Sequence, residues 1–261
     1  MRVRAFFPEL DEGIRTAAGF RSVEALVADA AECLADIGKY LPTGKGTLSC
    51  SFVADEDWAN GWKKYYKPLR ISPRILICPS WETAAPEAGE IVVSLDPGSA
   101  FGTGSHETTS LCAERIDALL PAGASVLDLG CGSGILAIIA ARLGAGSVEA
   151  IDIDPLAVKV AFDNCAINAV AVDVHAGELK DARRPRYDFV VANIIADVIA
   201  ALAPDVPARL APGGTFVASG IIAEKSARVL DACRAAGLAL VESHRKGDWC
   251  AYVFRHGSVA P

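Results

Sequence analysis

The chain has 261 residues, 52% of them hydrophobic and 22% charged, and a formal net charge of −7. That composition belongs to a folded chain with a sizeable core rather than a disordered one, and the negative balance argues against a protein held chiefly by nucleic-acid phosphates. The longest uncharged runs, 129–141 and 210–223, are too short to span a bilayer, and the first residues turn acidic with no apolar signal core, so a cytoplasmic protein without a membrane anchor is expected.

Residues 1–55 read as a small N-terminal domain, a partial β-α-β piece. A strand is expected at 3–7, a helix over 23–37 and a strand near 47–53; Val23, Leu26, Ala30, Leu34 and Ile37 recur at helical spacing. Residues 56–90 read as an interdomain linker, punctuated by Pro68, Pro73, Pro79 and Pro86. Trp58 and Trp62, four apart, suit one helix face packed between domains better than a base-stacking surface, because the whole chain is acidic.

From residue 91 to 261 strands and helices alternate. Strands are expected at 125–129, 148–153, 172–175, 187–193, 214–219, 238–241 and 249–254, and helices at 134–143, 155–168, 196–210 and 223–236. Phe189-Val190-Val191 is an apolar run of the kind found in strands covered on both faces. Such alternation implies an α/β domain, a parallel sheet with helices on both sides. The eight cysteines and four histidines are dispersed, with no C-x-x-C pair, which argues against metal, an iron–sulfur cluster or a disulfide scaffold.

Residues 128–138 read D-L-G-C-G-S-G-I-L-A-I, a strand ending in a glycine turn that opens a helix. Ligands in open α/β sheets bind outside the carboxyl ends of strands, and glycines let them approach the backbone. Ile135 stands where a dinucleotide fingerprint needs its third glycine, and no Gly-Lys-Ser/Thr follows, so the turn is a poor phosphate cradle. G-x-G-x-G is instead typical of S-adenosylmethionine (AdoMet) enzymes. Asp152, about 20 residues on at the end of the next strand, can accept hydrogen bonds from ribose hydroxyls, and Asp154 before Pro155 suits a helix N-cap. Asn193 ends a further core strand, where a polar residue would face a methyl donor. Ile194 and Ile195 follow it, unlike the Asn-Pro-Pro-Tyr of many base-methylating enzymes, which weakens a base-methylation reading.

Upstream, residues 96–109 read D-P-G-S-A-F-G-T-G-S-H-E-T-T, a glycine-rich loop leading into a helix for which Thr108 or Thr109 could be the N-cap. This run, the glycine turn, I-D-I-D-P at 151–155 and V-V-A-N-I at 190–194 together resemble the PrmA family of ribosomal protein L11 methyltransferases over roughly residues 50–255. The resemblance implies a seven-stranded Rossmann-like methyltransferase sheet with its last strand antiparallel. It implies AdoMet-dependent methylation of lysine side chains and the N-terminal amine of L11, by a monomer with no direct nucleic-acid partner. The family's cofactor contacts map onto Thr109, Gly130, Asp152 and Asn193, with Gly132 in the same turn, and the loop holding Phe101 would cover the cofactor. Asn193 is the expected catalytic residue. His106 is a general-base candidate by position only, against an ordinary outward loop histidine. Family members carry a further β-α segment ahead of the strand expected at 3–7, so either the start was placed late or the substrate-recognition domain is shortened here. A lysine methyltransferase for another protein, an RNA or small-molecule methyltransferase, and a non-catalytic AdoMet-binding module of the ribosome remain the competing readings.

Overall fold

The computed structural model describes residues 9–10, 13–16, 19–41, 47–48, 66–96, 102 and 104–256. The chain divides into two compact units, residues 1–64 and 65–261.

In the first unit, three short strands, β1 (Glu9–Leu10), β2 (Gly13–Thr16) and β3 (Gly19–Arg21), form an antiparallel meander. They precede α1 (Val23–Gly38). Ser22 caps α1, its side chain accepting from the Ala25 amide at 3.2 Å. The helix thus lies where its apolar spacing puts it. The meander was not foreseen, because its strands are two to four residues long and carry no alternating run. The strand expected at 3–7 lies outside the described residues, as do Trp58, Trp62 and most of 47–53.

The second unit begins with a small sheet where the proline spacing predicts linker. Strands β4 (Leu69–Ser72) and β5 (Ile75–Pro79) pair antiparallel, and β5 pairs parallel with β6 (Ile91–Leu95). Ile75, Ile77, Val93 and Leu95 are fully buried in the main core, so residues 66–90 are not a connector. The prolines that suggested one sit at or beyond strand ends, where no ladder hydrogen bond is lost.

The remainder alternates as expected: α2 (Glu107–Leu119), β7 (Ser125–Leu129), α3 (Ile135–Arg142), β8 (Ser147–Asp152), α4 (Pro155–Ile167), β9 (Asp173–Ala176), β10 (Tyr187–Asn193), α5 (Ala196–Leu202), α6 (Val206–Arg209), β11 (Leu210–Ile222), α7 (Ser226–Ala235), β12 (Leu238–Lys246) and β13 (Trp249–His256). The helix expected over 196–210 is two helices, interrupted at Pro204, which supplies no backbone donor, while Pro207 sits in the first turn of the second, where none is needed. The seven strands lie in the order β12-β13-β11-β10-β7-β8-β9, all parallel except β13, which runs antiparallel between β11 and β12. The last strand is therefore antiparallel, as the family resemblance implies.

Both sheet faces are covered. Along β7 and β10, Val126, Phe189 and Val191 join one apolar cluster, with residues of α2, α3 and α4; the alternate Leu127, Leu129 and Val190 join a second, with residues of α5, α6 and α7. The period-two alternation of side chains is what feeds both layers from one strand. From β7 the chain winds outward to β8 and β9, then returns to the other side of β7 at β10. That reversal opens a crevice at the carboxyl ends of β7 and β10, where such sheets take their ligands.

Candidate functional site

The glycine turn fills this crevice. Gly130, Gly132 and Gly134 have φ of 73°, 53° and 79°, a region that side-chain-bearing residues adopt at a cost of about 1–2 kcal/mol. Gly130 and Cys131 both donate their amides to the Ile151 carbonyl, at 2.8 and 3.1 Å, which ties the turn to β8. Gly134 caps α3, and a Cβ there would lie 3.0 Å from Ala161 Cβ, so helix α4 crosses closely enough that it would have to give way to a side chain. Gly130 has a different constraint: a Cβ on it would overlap Cγ2 of Ile194.

Asp152 ends β8, half-buried, as expected. Its Oδ2 accepts the Gly132 amide at 2.9 Å and its Oδ1 accepts the Asp154 amide at 3.0 Å. Each carboxylate oxygen keeps a further lone pair for a ligand donor. Asp154 is the N-cap of α4, accepting from the Leu156 amide at 2.9 Å, with Pro155 at the first helical position.

Asn193 ends β10 and is half-buried. Its Nδ2 donates to the buried Thr109 hydroxyl at 3.3 Å, so two residues 84 apart in sequence meet across the crevice. Its Oδ1 is enclosed and has no hydrogen-bond partner. The Ile194 amide donates to the Ser219 carbonyl at 3.1 Å, and Gly220 passes so near that a Cβ there would overlap the Ile194 carbonyl. The chain leaving Asn193 is therefore clasped between two glycines.

The N-cap of α2 is His106, not Thr108 or Thr109. His106 Nδ1 accepts the Thr108 amide at 3.3 Å and lies 2.8 Å from the Thr108 hydroxyl. Its ring meets Trp249 edge-on with centroids 4.9 Å apart. A histidine can cap because its unprotonated ring nitrogen offers the same acceptor that Asn or Asp would. Of the expected cofactor residues, the structure thus gathers Thr109, Gly130, Gly132, Asp152 and Asn193 around one crevice, while Phe101 lies outside the described residues. Gly102 in the same loop is described, and its carbonyl accepts from the buried Ser133 hydroxyl of the glycine turn at 2.6 Å.

Two features escaped the sequence reading. Asn164 of α4 is 1% exposed; its Nδ2 donates to the Ser133 carbonyl at 2.9 Å and its Oδ1 accepts the Asp96 amide at 2.9 Å. It joins the turn to the start of the glycine-rich loop. Four residues on, Asn168 does the same for Ser94, accepting its amide and donating to its carbonyl. An Asn pair at helical spacing on an inward face was the available signal. The other feature is Asp128, 1% exposed in β7. Burial pushes its carboxyl up to about 7, against the pull of the Ala137 amide and with a further push from Asp152.

A crevice with a positive-φ glycine turn, a half-buried carboxylate and enclosed oxygens lacking donors suits a ligand that brings donors and an extended, uncharged-sugar body. AdoMet has that character. Among the described residues no group of three His, Cys, Asp or Glu could hold a metal ion.

The chain matches, over residues 3–257, the family model described as ribosomal protein L11 methyltransferase (PrmA). It is 45% identical over 258 residues to a ribosomal protein L11 methyltransferase of Ruminiclostridium cellulolyticum, covering 96% of this chain and 81% of that one. A Pelotomaculum thermopropionicum protein of the same name is 50% identical over 226 residues, 86% of this chain and 73% of that one. Among solved structures, a ribosomal protein L11 methylase from Lactobacillus delbrueckii subsp. bulgaricus superposes with a TM-score of 0.68 at 32% identity, covering 74% of this chain and all of the other. A T. thermophilus 16S rRNA methyltransferase solved with AdoMet and guanosine shares the fold at 22% identity, with a TM-score of 0.51 over 61% of this chain and 46% of that one. On this agreement of sheet order, crevice and whole-chain similarity, the chain belongs to the PrmA family, the ribosomal protein L11 methyltransferases.

Proposed function

We propose that this protein methylates ribosomal protein L11 with AdoMet, in the cytoplasm, at amine groups: lysine side chains and the N-terminal amine. The observation that carries the reading is membership of a family matched over residues 3–257. Among the described residues no helix is long and apolar enough to cross a membrane, which suits that setting. The unit at residues 1–64 would take part in recognising the protein substrate.

When bound, AdoMet supplies a methyl group already activated on a sulfonium, so the protein's task is alignment and exclusion of water. Asp152 would hold the sugar hydroxyls with the lone pairs its backbone donors leave free. Gly130 and Gly132 would let the backbone come against the amino-acid end. Thr109 fixes the Asn193 amide through the 3.3 Å bond to its hydroxyl, and Oδ1 of Asn193, enclosed and left without a donor, would accept an N–H of the amine once the crevice opens to admit it. Holding one N–H there aims the nitrogen lone pair. The amine must arrive neutral, and a lysine with an ordinary pKa of about 10.4 is almost wholly protonated at pH 7; desolvation in the crevice lowers that value. His106 Nδ1 is engaged in capping α2, so the proton is assigned to solvent rather than to that nitrogen.

The test is incubation of the full chain with methyl-labelled AdoMet and separate pools of ribosomal protein L11, ribosomal RNA and small metabolites. Label on lysine and N-terminal amines of L11 is expected. Label on the RNA or metabolite pool alone, or on neither with AdoMet still bound, would overturn the proposal.

A further inference from the structure

Strand β11 carries an extra residue beside the crevice. Against β13 its register runs Ala218 with Tyr252 and then Ile221 with Cys250, so Ser219 and Gly220 together oppose Ala251 alone. Such a bulge needs a residue that accepts left-handed backbone, and Gly220 has φ of 83°. The extra residue changes the parity of the side chains. Phe216, Ala218 and Ile221 all join one apolar cluster, while Val217 joins the other together with Cys112 of α2. Ser219 falls on the Val217 side, where its hydroxyl meets the Cys112 thiol.

Ser219 is also the register partner of Asn193 on β10. It is fully buried, and both its side chain and its backbone are engaged. The hydroxyl donates to the Cys250 carbonyl of β13 at 3.1 Å, across the ladder that the bulge interrupts. The carbonyl accepts the Ile194 amide at 3.1 Å, one residue past Asn193. Gly220 follows so closely that the Ile194 carbonyl takes the space a Cβ would need. Asn193 is therefore held twice: by Thr109 on its side-chain amide, and by Ser219 on the backbone that leaves it. Thr109 and Cys112, three apart on α2, meet the two register partners in turn.

We infer, resting on the role of Asn193 proposed above, that Ser219 is a positioning residue for methyl transfer: its hydroxyl pins the bulge to β13, and the pinned bulge fixes the backbone from which Asn193 reaches the incoming amine. Ser219 acts through Asn193 and not on the reacting atoms. Without the hydroxyl, the Cys250 carbonyl loses that donor and the bulge is free to shift, carrying the Ile194 amide with it. A small displacement suffices, because the rate of an aligned reaction falls steeply as its groups move out of place. The glycine turn and Asp152 have braces of their own, from Gly130 and Cys131 to the Ile151 carbonyl and from Gly132 to Asp152. Cofactor binding is therefore expected to survive a change at Ser219.

The experiment measures single-turnover methyl transfer from labelled AdoMet to L11 by the full chain, with AdoMet affinity from calorimetric titration. The unaltered chain, Ser219→Ala, Asn193→Ala and the double variant form a cycle. Ser219→Ala is expected to slow transfer about tenfold, part of the roughly hundredfold that a misplacement of about 1 Å can cost, with AdoMet affinity and half-saturation by L11 held within about twofold. In the Asn193→Ala background the same change should cost nothing further, because the group it positions is gone; a purely structural role would slow both backgrounds alike. Ser219→Cys keeps a weaker donor and should slow transfer less. Should Ser219→Ala fail to fold, Ser219→Cys and its double variant with Asn193→Ala carry the same comparison. Equal slowing in both backgrounds, no slowing in either, or a loss lying in AdoMet affinity would overturn the inference and leave the methyltransferase reading standing. Full-rate transfer by Asn193→Ala would overturn the role of Asn193 and this inference with it. No transfer to L11 by the unaltered chain would instead sink the proposed function.

Discussion

Gly132 donates its amide to Asp152 Oδ2 at 2.9 Å, so the residue expected to hold the cofactor's sugar also braces the turn expected to hold its amino-acid end. Binding at one end of the crevice is thereby coupled to order at the other. A charge-assisted bond to a backbone amide is stronger than a neutral one, and this one spans the gap between β7 and β8.

Replacing Asp152 therefore does two things at once. Asp152→Ala should weaken AdoMet binding by about one to two orders of magnitude, through the lost sugar contact and the loosened turn. Asp152→Asn keeps an acceptor for Gly132 and should lose less. Calorimetric titration of both variants checks the order; equal losses would mean that the turn brace contributes nothing.

Asn193→Ala removes the enclosed Oδ1 and the bond to Thr109. Turnover with L11 is expected to fall about a hundredfold, the scale of losing one aligned polar group in the transition state, while AdoMet affinity changes much less. Thr109→Val, which leaves Asn193 in place without its brace, should cost a smaller part of turnover. Steady-state rates alongside binding constants separate these outcomes.

Gly130 and Gly220, at φ of 73° and 83°, clasp Ile194 from two sides, and a Cβ on either would overlap it. Alanine at either position should cost the left-handed strain of about 1–2 kcal/mol plus a repacking penalty of about 1–3 kcal/mol. Gly213 also has positive φ, 74°, but open space around it, so Gly213→Ala should show the strain alone. Thermal unfolding of the three variants measures the difference.

His106→Asn keeps a cap acceptor for α2 and should preserve both stability and methyl transfer, whereas His106→Ala should cost about 1 kcal/mol. A full loss of turnover in His106→Asn with stability intact would restore the histidine as a base. Thermal melts paired with transfer assays decide between the two.

Away from the site, Glu149 of β8 is buried, yet its carboxyl lies below the ordinary value of 4.5: desolvation pulls it upward, and bonds from the Tyr187 hydroxyl at 2.6 Å, the Arg183 amide at 2.8 Å and His175 Nε2 at 2.9 Å outweigh that. A depressed carboxylate stabilises the fold above its unfolded pKa, and the contribution is lost as pH falls through the folded value. Unfolding free energy should therefore fall on acidification below about pH 4.5, and less steeply in Glu149→Gln, which should already be about 2 kcal/mol less stable at neutral pH. Denaturant titrations from pH 3 to 7 provide the curve.

Much of this was legible in the chain itself, wherever the physics is local. The glycine turn at 130–134, the apolar run of β10, Pro155 behind Asp154, and the carboxylate about 20 residues past the turn each declare their place in the fold through neighbours a few residues away. What tertiary structure alone decided is of longer range. Residues 69–79 are strands because Ile75 and Ile77 find a core made by α2 and α3, which no window around them contains. His106 became a cap, Asn164 a tether and Asn193 a partner of Thr109 because the fold brought their acceptors and donors together. Whether Asp128 stays charged depends on how completely α2, α3 and α4 exclude water from it: desolvation is a property of the packed whole, and no stretch of sequence carries it alone.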